Sequence, residues 1–332
     1  MGDRVPREGA GRIVAMLSML LALAALGGCS MAAKKRQEAV YSPSESVLEV
    51  VTVLRRHVPA DTYRFPPPDD FSGRNVYRSS LLRLESIEHV HADALRAGHM
   101  DAVIAFAKAR ALERLRAYDL AAEHYRKAED LSATLRDTAQ RSAEINESFS
   151  DATRVGIDFV DPMRGPADAG LPDDPEAVVA GLEERQAMLS RILGPDDEMH
   201  YDAMMREEIE RADMARAHYF VAMRNLVPDG NLRAVSELQR VVSRHSPSKF
   251  RRRHLLDLAD LYARMAEEYV VANPPESLRF DPPTFQELVD SASQIYEVVA
   301  AEDGTPEKLE ASRRFEAFLA FTLQVDRDRF TQ

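Results

Sequence analysis

Apolar residues recur along most of this chain at spacings of three and four, the period of a helix with one buried face. Breaks rich in proline and glycine separate these stretches. Ser42-Pro43-Ser44-Glu45 has the form of a capping box, with Pro43 at the first helical position. Val47, Leu48, Val50, Val51 and Leu54 give the following helix its apolar side, to near His57. Pro59 and the run Pro66-Pro67-Pro68-Asp69-Asp70 interrupt it. The pattern then predicts helices over 74–97, 100–115, 118–131 and 133–153, the first stopped by Gly98. Asp173-Asp174-Pro175-Glu176 starts a helix that runs to about 193, where Gly194-Pro195 ends it. Further helices are expected over 197–226, 231–245, 248–271, 283–301 and 305–325. No strict alternation is long enough for a sheet, and Val155 to Val160, the one strand-like patch, is assigned as loop. The expected fold class is all-α.

The N-terminus follows a different pattern. Arg4, Arg7 and Arg12 precede an unbroken apolar stretch from Ile13 to Leu26, short for a membrane span and flanked like a secretory signal. It ends in Leu26-Gly27-Gly28-Cys29, and Cys29 is the single cysteine of the chain. These residues resemble the lipobox of bacterial lipoproteins: an aliphatic residue, two small residues, then cysteine. The resemblance implies cleavage between Gly28 and Cys29 and a covalent lipid on the Cys29 thiol. It implies a mature protein tethered to a membrane of the bacterial cell envelope. Ser30 rather than aspartate after the cysteine implies the outer membrane, facing the periplasm. Two or three acyl chains, at about 0.8 kcal/mol per buried methylene, anchor nearly irreversibly. The alternatives are an ordinary signal peptide or an uncleaved anchor.

The expected organisation is a signal peptide over 1–28, a lipidated cysteine and polar tether over 29–41, a helical region over 42–157, a linker over 158–175 and a second helical region over 176–328. Residues 30–41 reach at most about 40 Å when extended. The linker holds Pro162, Gly165, Pro166, Gly170 and Pro172.

Within the helical regions some pairs resemble tetratricopeptide repeats. Tyr118, Ala121, Tyr125 and Ala128 fall at the small and large positions of that family's second helix, after Ala109 and Leu112 on the first. Leu255, Leu258, Ala259 and Tyr262 fit a first helix, and Ala292, Tyr296 and Val299 a second one reached through a proline-rich insertion. Ala234, Leu238 and Val241 fit another second helix. The copies do not recur at the family's regular interval, and Ala105 and Lys108 depart from its pattern. The resemblance implies an α-solenoid of antiparallel helix pairs with insertions, with an irregular helical bundle as the alternative. It places Phe106, Arg110, Glu113 and Arg114 on the partner-binding groove in one repeat, and Leu256, Asp260 and Arg264 in another.

Composition narrows the function. The formal net charge is −12, so the chain repels phosphate backbones, and nucleic-acid binding is not expected. One cysteine cannot form an internal disulfide. Glu85 and His89, one turn apart, could supply half a metal site, but His89 and His91 point to different sides of a helix. Glu147-Ser148-Phe149 resembles the start of lytic transglycosylase motifs without their later elements. Ser246-Pro247-Ser248-Lys249 has the S-x-x-K form of acylating enzymes without the companion motifs. Lys249, Arg251, Arg252 and Arg253 form a basic cluster, read as a solvated turn or as a dock for acidic lipid, lipopolysaccharide or an acidic protein face. The methionines of 188–223 are read as core filling. No enzyme activity, metal or cofactor beyond the lipid is expected. The expected function is an envelope-tethered scaffold that binds a protein or peptide partner. A peptidoglycan- or glycan-acting envelope enzyme and a structural spacer are the alternatives.

Overall fold

The computed structural model describes residues 41–330 apart from Thr62, Arg64, 164–169, Asp196 and Glu198. Gly28, Cys29 and the signal and tether segments lie outside the described residues, apart from Tyr41. The chain from Pro43 onward forms one compact unit.

Eleven helices and no strand are present among the described residues. They are α1 (Pro43–Ala60), α2 (Val76–Ala97), α3 (Asp101–Arg114), α4 (Tyr118–Leu131), α5 (Arg136–Thr153), α6 (Pro175–Leu189), α7 (Met199–Met223), α8 (Gly230–Arg244), α9 (Arg251–Ala272), α10 (Pro282–Ala300) and α11 (Pro306–Phe330). The all-α expectation holds, and each helix packs on the next in chain order. Some helices also meet across an intervening one, among them α1 with α3, α7 with α9 and α9 with α11.

Local chemistry sets the ends. Asp174 caps α6 by accepting from the backbone N–H groups of Glu176 and Ala177, with Pro175 at the first turn. Asp281 caps α10 through Thr284 in the same way. Gly98 closes α2. Several ends differ from the sequence reading: α1 runs through Pro59 to Ala60, α5 starts at Arg136, α6 stops at Leu189, α7 stops at Met223, α11 runs on to Phe330, and α9 starts at Arg251. In the last case residues 248–250 form a turn, held by Ser248 Oγ accepting from Phe250 N–H.

Every position that carried the repeat resemblance is at least partly buried. Tyr125, Ala109, Ala121, Ala128, Ala234, Ala259 and Ala292 are fully enclosed. Small residues let α3, α4 and α5 approach closely, and Ala109, Leu112, Ala121, Tyr125 and Ala143 share one cluster. The largest cluster joins α9, α10 and α11 through Leu256, Phe285, Tyr296 and Phe318. The 158–163 part of the expected linker is bound to the body. Val160 is buried with α6 and α7, and Asp158 pairs with Arg116 and Arg185 at 3.2 and 3.3 Å.

Candidate functional site

The site is organised by α7, which carries four buried acids: Glu207, Glu208, Glu210 and Asp213. They point around the helix, and each meets cations or hydroxyls from a different part of the fold. Glu207 accepts from Arg114 of α3 at 3.3 Å and from Lys249 at 2.8 Å. Asp61, in the turn after α1, binds the same two cations at 2.6 and 3.2 Å. Glu208 accepts from Arg116 at 2.7 Å and from the Tyr118 hydroxyl at 2.8 Å. Asp213 accepts from Arg240 at 2.7 Å, His245 at 2.8 Å and Gln186 at 2.8 Å. Burial opposes its charge, but His245 and Arg240 hold its carboxyl well below the ordinary range. Such pairs fix register more than they add stability, because both charges lose their hydration.

A further buried acid, Glu113 of α3, accepts from Arg110, His200, Tyr125, Asn146 and Tyr201. Burial raises its carboxyl, yet Arg110 and His200 hold it down at about 2.

These networks correct part of the groove assignment. Glu113, Arg114 and Leu256 are buried and cannot line an open groove. Glu113 bonds to groups of α3, α4, α5 and α7, Arg114 pairs with Asp61 and Glu207, and Leu256 packs against α10 and α11. Phe106 and Arg110 border a different cavity, about 670 Å³, with Val51, Leu54 and Val58 of α1. There the Arg110 guanidinium lies over the Phe106 ring at 5.2 Å.

Asp260 and Arg264 do share one wall. They border a cavity of about 780 Å³ lined by α7, α9 and α11, with the segment Phe159–Met163 at its side. On α9 the bordering residues Arg253, Asp257, Asp260, Arg264 and Glu267 follow helical spacing, so one face presents both signs of charge. Met214, Val221, Leu261 and Phe318 supply apolar wall. Asp260 accepts from the Tyr296 hydroxyl at 2.6 Å and pairs with Arg314. Burial raises the Asp260 carboxyl against the pull of both partners. Arg264 is half-buried and donates to the Pro162 carbonyl at 3.2 Å.

Two histidine–carboxylate pairs cross from α7 to α9 beside this cavity. His218 meets Asp257 at 3.3 Å, and Glu210 meets His254 at 2.5 Å. Neither pair was singled out from the sequence, because the partners lie 39 and 44 positions apart.

The other sequence candidates resolve into structure. Lys249 is buried on Asp61 and Glu207, Arg251 and Arg252 pair with Glu302, and Arg253 pairs with Glu310. The basic cluster is therefore internally neutralised and is not a free basic patch. Lys249 is likewise committed, while Ser246 of the S-x-x-K match is exposed. Glu147 pairs with Arg126 on the surface, and Phe149 stacks on Tyr118 at 5.2 Å. Glu85 and His89 are exposed, and among the described residues no three metal-ligating side chains gather. Among the methionines, Met204 and Met223 are buried. No helix among the described residues is long and apolar enough to cross a membrane.

Comparison with protein-family models, with curated proteins and with solved structures gives no match for this chain.

Proposed function

We propose that this chain is a lipid-tethered scaffold of the bacterial envelope that holds a protein or peptide partner in the cavity bordered by α7, α9 and α11. The observation that carries the reading is the make-up of that cavity. Alternate helices of a serially packed all-α body share one concavity, where charges of both signs surround apolar wall. Solenoids of paired helices present their binding surface in this way. The burial pattern of Tyr118, Ala121, Tyr125 and Ala128, and of Ala292, Tyr296 and Val299, supports tetratricopeptide-like pairs. The lipobox-like Leu26-Gly27-Gly28-Cys29 supports the tether and the outer-membrane location. Confinement to one membrane raises the effective concentration of the scaffold toward partners there.

The test is affinity capture of the full chain from its own host's membranes, with and without the paired change Arg264→Glu and Glu267→Lys. This pair keeps the net charge and inverts the local pattern on α9. Loss of a discrete co-purifying partner, with an unchanged melting temperature, is expected. The Cys29→Ser chain should move from the membrane to the soluble fraction. Unaltered capture by the paired variant contradicts the groove, and unaltered fractionation of Cys29→Ser contradicts the tether.

A further inference from the structure

Apolar surface facing water is unfavourable, so a concavity walled by it favours an apolar occupant. The cavity of about 670 Å³ beside Phe106 is such a place, and it shares no bordering residue with the α7–α9–α11 cavity. Val51, Leu54 and Val58 of α1, Val103 and Phe106 of α3, and Leu135 before α5 border it. All of these except Leu54 are only partly buried, so the apolar wall is open to solvent. Small-molecule sites span about 300–1,000 Å³, which includes this volume.

Charge sets this cavity apart. The chain carries a formal net charge of −12, and α9 alone brings Asp257, Asp260 and Glu267 to the other cavity. Here, among the described residues, no aspartate or glutamate borders the space, whereas Arg55 and Arg110 do. Arg110 is committed: it donates to the buried Glu113 at 3.1 Å, and its guanidinium lies over the Phe106 ring. Arg55 is exposed and has no ion pair among the described residues. Its neighbours one turn away along α1 are Val51, Thr52, Val58 and Pro59, none of them acidic. Val51, Arg55 and Val58 share one helical face, which places the unmatched cation beside the apolar wall. Such a pairing selects one negative charge carried on a hydrocarbon body. A planar guanidinium matches a carboxylate through two parallel N–H···O bonds.

We propose that the cavity between α1, α3 and the start of α5 binds a single-chain aliphatic carboxylate, with its head on Arg55 and its chain along the apolar wall. Arg55 donates to the carboxylate, and no covalent bond forms or breaks. This site goes beyond the scaffold reading and does not depend on what occupies the α7–α9–α11 cavity.

The experiment is calorimetric titration of the full chain in nanodiscs of zwitterionic lipid, with the heat into empty nanodiscs subtracted. The probes are octanoate, decanoate, octanamide, octylammonium and the capped peptide acetyl-Ala-Leu-Glu-Leu-Ala-amide. Octanoate should bind saturably and about tenfold tighter than octanamide or octylammonium. Decanoate, with two more methylenes, should bind about tenfold tighter than octanoate. Arg55→Glu should weaken octanoate about tenfold or more, while Arg55→Lys keeps most of the affinity. A decanoate carrying a diazirine should label peptides that cover 51–58, 103–110 or 135–138. No saturable heat, equal binding of octanamide or octylammonium, or unchanged affinity in Arg55→Glu overturns the proposal. So does label confined to other peptides. Tighter binding of the peptide than of octanoate assigns the cavity to a protein segment and overturns it as well. Should either Arg55 variant fail to fold, the probe series and the label on the unaltered chain decide. Retained partner capture with failed octanoate binding would remove this site and leave the scaffold standing.

Discussion

At the scale of single residues, the molecule is held in register by buried acids whose charges are matched by groups distant in sequence. Glu113 shows the balance most clearly. Burial raises its carboxyl, while Arg110 and His200 lower it from 4.5 to about 2. A carboxyl depressed on folding adds stability that is fully present above its unfolded value and is lost as pH falls through its folded value. Asp213, also depressed, acts in the same direction. Chemical denaturation followed from pH 7 downward should therefore show stability falling from about pH 4.5 toward pH 2. The Glu113→Gln chain, less stable at pH 7, should show a shallower fall. Stability that rises on acidification across that window would contradict the assignment. None of this was legible in the residues. Glu207, Glu208, Glu210 and Asp213 carry no signal of their own in the sequence, since nothing local reveals that Arg114, Arg116, His254 and His245 will meet them. The same blindness put Glu113 and Arg114 in a groove: a frame that counts helical positions locates a side chain's direction but not what approaches it.

At the scale of elements, the sequence reading succeeded where the signal is local. The start at Asp173-Asp174-Pro175-Glu176, the stop at Gly98 and the apolar periodicity of α1, α8 and α10 all lie within a few residues of what they control. The one long helix without an apolar stripe, α7, is the helix surrounded by partners, and its scattered pattern is the signal that could have marked it as central. Short turns impose their own constraints. A Cβ at Gly230 would lie 1.9 Å from the Arg224 carbonyl oxygen, so the α7–α8 turn admits no side chain there. At Gly194 a Cβ would meet nothing nearer than 3.7 Å. Gly230→Ala should cost about 1–3 kcal/mol through forced backbone movement, while Gly194→Ala should stay within about 0.5 kcal/mol. Urea unfolding of the two variants checks this, and equal midpoints would show that the turn relaxes freely.

At the scale of the whole molecule, serial packing from α1 to α11 builds a body in which alternate helices share a concavity. The repeat resemblance implied a groove position for Asp260 and Arg264, and both border this cavity, because residues one turn apart share a helical face. The rest of the wall was out of reach of sequence: it comes from α7, α11 and Phe159–Met163, which only the fold brings together. Charge balance around the cavity favours a partner that carries both charged and apolar groups. The most direct measurement is photocrosslinking in the native host. A photoreactive amino acid is placed at Arg264 on the cavity wall, and in a second chain at exposed Leu232 on α8. A discrete crosslinked product from position 264, absent from position 232, is the predicted result. Products of equal yield from both positions, or none from 264, would contradict the account.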